Sequence, residues 1–489
     1  MSELHEFGTV VLVVAAAFLG ALGTYKLTER FPVPAPALFL LVAAVASDVF
    51  PGLASAISIH NVERIGVVAL IVILFDGGMQ VGWRRFRGAA LPITSLGVLG
   101  TFATAAVIAV FAHTLFDFDW TIAGILGAAL APTDPAVMFS VLGNREVGGR
   151  TGTILEGESG ANDPVGIALM VGMLSYATSD HGSVWIVVRE FSLQMVVGTV
   201  VGVAGALLLL RLMQRVSLPN EGLYPLRTLA AAGVIYGAAA VAHGSGFLAV
   251  FIAGLLIGDE RAPYKAEIER FHTSLASIAE IVVFTALGLT IDLTDLGAND
   301  LWRDGLLLAL LLAFVARPVA AGALLVPVRL RLGERLFVMW GGLKGAVPIL
   351  LAAFALLAAV RDAGRIYGIV FVVVAFSVIV QGTTIPFVAS RLRIPMRLIH
   401  PEPWDLSIRL RAEPKGVQRY VVARGSRAAG EAIRDLPLGE HSWVTLVVRD
   451  DTPRQARGSH VFAPGDEVVV ISDESDATAL RRLFEVAVE

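Results

Sequence analysis

Cysteine is absent from the 489 residues of this chain. Disulfides, thiolate metal sites and cysteine nucleophiles are therefore excluded. Charge is scarce: Asp, Glu, Lys and Arg make up 16% of the residues, against about 25% in soluble domains. The nine histidines are scattered, mostly in loops, without metal-ligand spacing, so no resident metal centre is assigned. The net charge of −4 is small and gives no reason to invoke nucleic acid. No GxGxxG follows a strand, so no NAD site and no other cofactor is assigned. A cleavable leader is not expected, because the first residues are acidic (Glu3, Glu6) and lead straight into an apolar run.

Apolar sequence is what the chain has in abundance: 56% of its residues are hydrophobic. A helix crossing a bilayer needs roughly 17–25 such residues. About thirteen runs qualify, some of them short, centred near residues 16, 42, 71, 101, 132, 165, 199, 233, 251, 283, 315, 348 and 376. The run near 251 is set off from its neighbour by a Gly-rich turn, His243 to Gly246. The expected fold class is an α-helical polytopic membrane protein.

Loop charge orients it. Lys26 and Arg30, Arg84, Arg85 and Arg87, Arg145 and Arg150, and Arg211, Arg215 and Arg227 fall in one set of loops. Arg261, Lys265 and Arg270, Arg329, Arg331 and Arg335, and Arg391, Arg393 and Arg397 continue it. The alternate loops carry mostly acids, among them Asp117, Asp119, Asp180, Asp292, Asp295 and Asp300. By the positive-inside rule the basic set is cytoplasmic, which predicts the N-terminus outside and the C-terminus inside. From about residue 405 no run is long enough to span. WVTLVVRD (443–450) and DEVVVIS (466–472) read as strands, and DATALRRLFEV as an amphipathic helix. The reading is a membrane domain at 1–395, a proline-bearing linker at 396–404 and a small cytoplasmic α+β domain at 405–489.

Polar residues inside the apolar runs carry the chemistry. Span five reads LGAALAPTDPAVMFSVLG; Pro132 and Pro135 bracket Thr133 and Asp134. Each proline lacks an N–H and frees a carbonyl four residues back, at Ala128 and Ala131. Irregular backbone at membrane depth survives only inside protein or beside a watery cavity. Span six carries EGESGANDPVG: Glu158, Ser159, Asn162 and Asp163. An intramembrane carboxylate is costly and rarely kept without a use. At 100° per residue, Glu158 and Asp163 diverge by about 140°, which suggests two jobs. One carboxylate lines an ion path and the other pairs with a cation. Span twelve, WGGLKGAVPILLAAFALL, is weakened by Gly341, Gly342, Gly345 and Pro348 around Lys344. If spans 1–6 and 8–13 form two inverted repeats, spans five and twelve correspond. Interrupted helices at matched positions point to a transporter site. Arg317 in span eleven and Lys344 are buried cations with Glu158 and Asp134 as candidate partners. Asp76 either joins an ion funnel or caps the end of span three. Glu280 and Gln381 are weaker candidates of the same type.

APTDPAVMFSVLG, EGESGANDPVG, the VARP run and GGLKGAVPILLA together resemble the cation/proton antiporter superfamily, in its NhaP-type branch, over about residues 5–395. LFDGGM, GLYP (222–225) and the tail are most similar to bacterial potassium/proton antiporters carrying the C-terminal lobe of an RCK (TrkA-C) regulatory domain. The resemblance implies thirteen spans in two inverted six-helix repeats, unwound crossings in spans five and twelve, a homodimer, and the inner membrane of a bacterium. It implies that Asp163 alternately holds a proton and a cation. Thr133, Ser159 and Asn162 would shape that site, and Asp134 would balance the crossing. Glu158 and Arg317 would form a structural salt bridge. Asn162 before Asp163 marks the branch that exchanges ions without net charge movement. The family commonly has Arg where this chain has Lys344. The implied substrates are K+ (or Na+) and H+, and the ligand of the tail is unspecified. The rivals are a tail-gated channel, a membrane enzyme using Asp134 and Asp163 as an acid/base pair, and a sensor whose transport core is vestigial. No TVGYG-like filter supports the first, no nucleophile or metal motif the second, and the complete set of ion-site residues argues against the third.

Overall fold

The computed structural model describes residues 23, 34–50, 52, 58–134, 136–142, 145–179, 183–260, 262–298, 300–398, 417–439, 442–449, 452–472 and 476–485. The predicted span near residue 16 and most of the predicted linker lie outside them. The chain divides into two compact units, Met1–Pro401 and Glu402–Glu489.

The first unit is helical. Its main elements are α1 (Ala35–Val49), α2 (Ile59–Val81), α3 (Ala90–Phe116), α4 (Trp120–Leu130), α5 (Ala136–Leu142), α6 (Gly149–Thr178) and α7 (Val184–Arg215). Then come α8 (Leu223–Val241), α9 (Gly246–Gly258), α10 (Lys265–Leu289), α11 (Leu301–Leu325), α12 (Leu332–Trp340), α13 (Ala346–Leu357) and α14 (Ala363–Arg391). Among the described residues, α3, α7, α10, α11 and α14 are long and apolar enough to cross a membrane by length and composition. Several starts are set by side-chain caps: Ser58 accepts from the N–H of Asn61, Asp119 from Thr121 and Ile122, and Ser245 from Leu248. Each satisfies donors that have no partner in the first helical turn. The Gly-rich turn before residue 251 thus begins a separate helix, α9, capped by Ser245.

Two features position the interior. Span five is interrupted between α4 and α5, and span twelve between α12 and α13, where Gly341 to Gly345 leave the helix. Span four and span eleven each contain a π-helical stretch, Ser95–Gly100 and Leu312–Ala316, and α14 contains a third, Ser377–Gln381. Such turns frequently mark functional sites. The one in α11 ends immediately before Arg317.

Two short strands clamp the start of α6. β1 (Arg145–Val147) pairs antiparallel with β2 (Met396–Leu398), and the Gly148 N–H donates to Pro395 O at 2.8 Å. The first residues assigned to the linker therefore belong to the membrane unit. Proline at 395 and 401 suggested a break there, but three residues of extended chain find a partner next to α6.

The second unit is an antiparallel sheet of β3 (Val417–Val421), β4 (Trp443–Arg449), β5 (Thr452–Gln455) and β6 (Glu467–Ile471), in the order β3-β6-β4-β5, with helix α15 (Ala477–Phe484). Val468 and Val470 alternate inward from β6. They meet Tyr420, Val447, Phe462, Leu480 and Phe484 in one core. Pro453 sits in β5, an edge strand, where a missing donor is tolerated. Asp466 is buried and accepts two 2.6 Å bonds from Arg449 and one from the Ala463 N–H. Burial alone would raise its pKa, but these hydrogen bonds outweigh it and hold the carboxyl below its ordinary value. A carboxylate of lowered folded pKa contributes stability above its unfolded pKa. That contribution is lost as pH falls through the folded pKa. Asp466→Asn is expected to destabilise this unit by about 1–3 kcal/mol at neutral pH, read as faster hydrogen exchange in β4 and β6 of the full chain. The gap to wild type should close as the medium is acidified below the ordinary carboxylate range. A gap that widened on acidification would contradict the assignment.

Candidate ion-binding site

The interruption in span five is held open from three sides. Ser159 Oγ donates to Thr133 O at 2.6 Å. Asn162 Nδ2 donates to Thr133 Oγ1 at 2.7 Å, and its Oδ1 accepts from the Thr133 N–H at 3.2 Å. Asp134 N–H donates to Leu343 O at 2.7 Å, which joins the two interruptions directly. Ser159 and Asn162 are about one turn apart on α6, so one face of that helix grips the unwound backbone.

The helix ends at the crossing are matched by charge. Lys344 is fully buried. Its Nζ donates to Ala131 O at 2.9 Å and Pro132 O at 2.8 Å, the carbonyl end of α4. Its backbone N–H donates to Ser377 Oγ in the π turn of α14. The expected carboxylate partner for Lys344, Glu158 or Asp134, is thus replaced by backbone carbonyls. Proline-interrupted backbone supplies acceptors that helix would otherwise consume, and a C-terminal helix end carries partial negative charge. Ala131 O is one of the two carbonyls that the prolines were expected to free. The Asp134 carboxylate lies against Gly345, the N-cap of α13; a Cβ on Gly345 would stand 1.8 Å from Asp134 Oδ2. Only glycine lets a carboxylate approach that positively polarised end so closely.

Glu158 and Arg317 meet as a bidentate pair, at 2.5 and 2.9 Å. Both are almost wholly buried, and Arg317 Nη2 also reaches Val338 O at 3.4 Å. Gly342 leaves room for the guanidinium, since a Cβ there would lie 2.4 Å from Arg317 Nε.

Asp163 stands apart from this compensation. It is 6% exposed, and its Oδ1 is buried without a hydrogen-bond partner among the described residues. Asp134 and Lys344 are the charges that act on it. Asp76 is placed differently. It accepts from Gln80 Nε2 at 2.6 Å and Thr273 Oγ1 at 3.1 Å, and it lines a cavity of about 450 Å³ with Glu156, Asp259, Glu269 and Arg85. Glu280 lies in α10 with a buried, unpartnered Oε1, and Gln381 is buried in the π turn of α14. Sequence reasoning missed Ser377, Leu343, Thr273 and Glu156. A hydroxyl in an apolar run was the only available signal for Ser377 and Thr273, and many serines and threonines share it.

Comparison with known proteins decides what this crossing belongs to. The model of the family described as "Sodium/hydrogen exchanger, transmembrane" matches residues 14–391. The chain belongs to the sodium/hydrogen exchanger family. A TrkA-C domain follows at residues 417–485. This exchanger is 31% identical to the K(+)/H(+) antiporter NhaP of Alkalimonas amylolytica over 97% of its own length and 83% of the relative's. It is likewise 31% identical to the K(+)/H(+) antiporter NhaP2 of Shewanella oneidensis, over 95% and 81%. Its fold matches the sodium proton antiporter MjNhaP1 of Methanocaldococcus jannaschii with a TM-score of 0.66 at 22% identity, covering 78% of this exchanger and 98% of that chain. The exchanger is a monovalent cation/proton antiporter with an NhaP-like helical fold and a small C-terminal sheet domain, as the sequence motifs led one to expect.

Removing one charge of a buried pair typically costs ~3–5 kcal/mol, because its partner is left uncompensated. Glu158→Gln is accordingly expected to lower the melting temperature of the detergent-solubilised exchanger sharply. The half-saturating cation concentration of the folded fraction should stay near wild type. Unchanged stability with impaired exchange would refute a structural role for this pair.

Proposed function

We propose that this exchanger moves K+ against H+ without net charge transfer, with Asp163 as the group that holds proton and cation in turn. The observation that carries the reading is the buried Asp163 carboxylate, whose Oδ1 has no hydrogen-bond partner among the described residues, beside the crossing of two interrupted helices. The other charges at the crossing are compensated locally: Lys344 and Asp134 by helix ends, Glu158 and Arg317 by each other. A carboxylate left over inside a membrane has to be neutralised by a proton or a cation. Either species can occupy it, so the two compete. If only the neutralised site crosses between the two faces, exchange is obligatory and one-for-one. Asn162, neutral where a second acid would add another charge, fits that count.

Thr133, Ser159 and Asn162 act in this reading as the frame that aims Asp163 at the crossing. Hard oxygens suit a monovalent cation, and the hydroxyls of Thr133 and Ser159 keep lone pairs beyond the bonds described. Asp76 and its acidic neighbours form the funnel through which cations arrive. Potassium is favoured because both close relatives carry that ion in their names. The chain works as a carrier rather than as an enzyme, as a homodimer in a bacterial inner membrane, with the TrkA-C domain cytoplasmic and regulatory.

The test is proton flux in proteoliposomes, followed with a pH-sensitive dye while K+, Na+, Li+ and Rb+ are added separately. Wild type should respond to K+, and Asp163→Asn should be folded and inactive. Wild-type exchange in that variant would sink the reading. A response to Na+ and Li+ alone would keep Asp163 and change the substrate. Deleting residues 405–489 should alter regulation and leave basal exchange intact; a correctly inserted but inactive truncation would exclude a purely regulatory tail.

A further inference from the structure

α10 joins two cavities. Near its start, Glu269 and Thr273 line the cavity that holds Asp76 and Glu156. At its other end, its C-cap Thr290 lines a second cavity of about 570 Å³ with Asp292, Arg365 and Tyr367. From Thr273 to Thr290 the helix rises about 25 Å, most of the apolar thickness of a bilayer. Between them stands Glu280. It lies about two turns beyond Thr273 and so on the same face of the helix, roughly 10 Å deeper. Its Oε1 is buried and has no hydrogen-bond partner among the described residues.

Asp163 stands in the same relation to the same cavity. Glu156 lines the cavity from α6, and Asp163 lies about two turns beyond it on the same face, again roughly 10 Å deeper. The charge of Asp134, at the crossing, acts on both Asp163 and Glu280. Two carboxylates on different helices, each with a buried oxygen that has no hydrogen-bond partner among the described residues, thus stand at matching depth beyond one acidic cavity.

We propose that Glu280 is a second cation-binding carboxylate of the transport pathway, one that a monovalent cation occupies on its way between the cavities. The proposal rests on the exchange reading given above. Glu280 releases a proton as the cation arrives and takes one up as the cation moves on, so its net count is zero and the one-for-one exchange at Asp163 is unaltered. A carboxamide in its place still accepts hydrogen bonds but cannot neutralise a cation, while a shorter carboxylate can.

The experiment compares wild type, Glu280→Gln, Glu280→Asp and Asp163→Asn in proteoliposomes. A second readout is modification of Glu280 by dicyclohexylcarbodiimide, a reagent for protonated carboxyls in apolar surroundings, located by peptide mass in the full chain. Glu280→Gln should raise the half-saturating K+ concentration several-fold, and Glu280→Asp should recover most of the loss. In wild type, K+ should suppress the modification of Glu280. Wild-type half-saturation in Glu280→Gln, together with modification indifferent to K+, would overturn the proposal. That outcome with an inactive Asp163→Asn would leave the Asp163 mechanism standing. An active Asp163→Asn would remove that mechanism, and K+ protection of Glu280 would then show which carboxylate the cation meets.

Discussion

Everything at the centre of this exchanger depends on one constraint: a helix broken inside a membrane exposes backbone dipoles that water cannot reach. The chain meets it by crossing two breaks so that each supplies what the other lacks. Lys344, on one interruption, donates to the carbonyls that end α4 on the other. Asp134, on that other interruption, lies at the start of α13. The Asp134 N–H to Leu343 O bond ties the two backbones. Thr133 is fastened to α6 by Ser159 and Asn162. None of these groups could be satisfied alone, so the two interrupted helices and α6 form one unit.

Compensation also sorts the charges by role. Glu158 and Asp163 lie five residues apart on one helix, yet only Glu158 has an arginine. The turn between them decides this: it swings the two carboxylates about 140° apart, so Glu158 faces α11 while Asp163 faces the crossing. The π turn Leu312–Ala316 ends just before Arg317, and Gly342 leaves space for its guanidinium. A buried pair of this kind contributes little net stability compared with apolar packing, but it fixes register, because breaking it strands a charge. The pair thereby fixes α6, which carries Asp163, against α11.

How much of this was legible in the sequence follows from which signals are local. Prolines at 132 and 135 and glycines at 341, 342 and 345 interrupt helices by their own geometry, so both breaks could be read directly. Carboxylates in apolar runs stand out by cost, so Glu158, Asp163 and Asp134 could be found. Among the described residues, α3, α7, α10, α11 and α14 follow from apolar run length. What could not be read depends on distant partners. The π turns carry no residue signature. β1 and β2 are three residues each and exist only because residues far apart in sequence meet. In the C-terminal unit β4, β6 and α15 stood out as apolar or amphipathic runs, whereas β3, with Gln418 and Arg419 at its centre, and the four-residue, proline-bearing edge strand β5 did not. The hydrogen-bond partners of Lys344 were not legible either, because Glu158 and Asp134 were the candidates its formal charge suggested. The interrupted backbone offered acceptors instead.

These carbonyl acceptors account for lysine at position 344. An arginine presents a planar fork suited to the two oxygens of one carboxylate or phosphate, as Arg317 does with Glu158. The acceptors here are two successive carbonyls, Ala131 O and Pro132 O, on separate peptide units rather than on one carboxylate. A compact ammonium with three rotatable donors can bond both and still offer a third hydrogen. Its charge then sits as a point at the carbonyl end of α4, close enough to be felt at Asp163. The arginine usual in this family would delocalise that charge over a larger group and need more room. In this chain, then, the residue that closes the helix crossing also contributes, with burial and Asp134, to the electrostatic environment of Asp163.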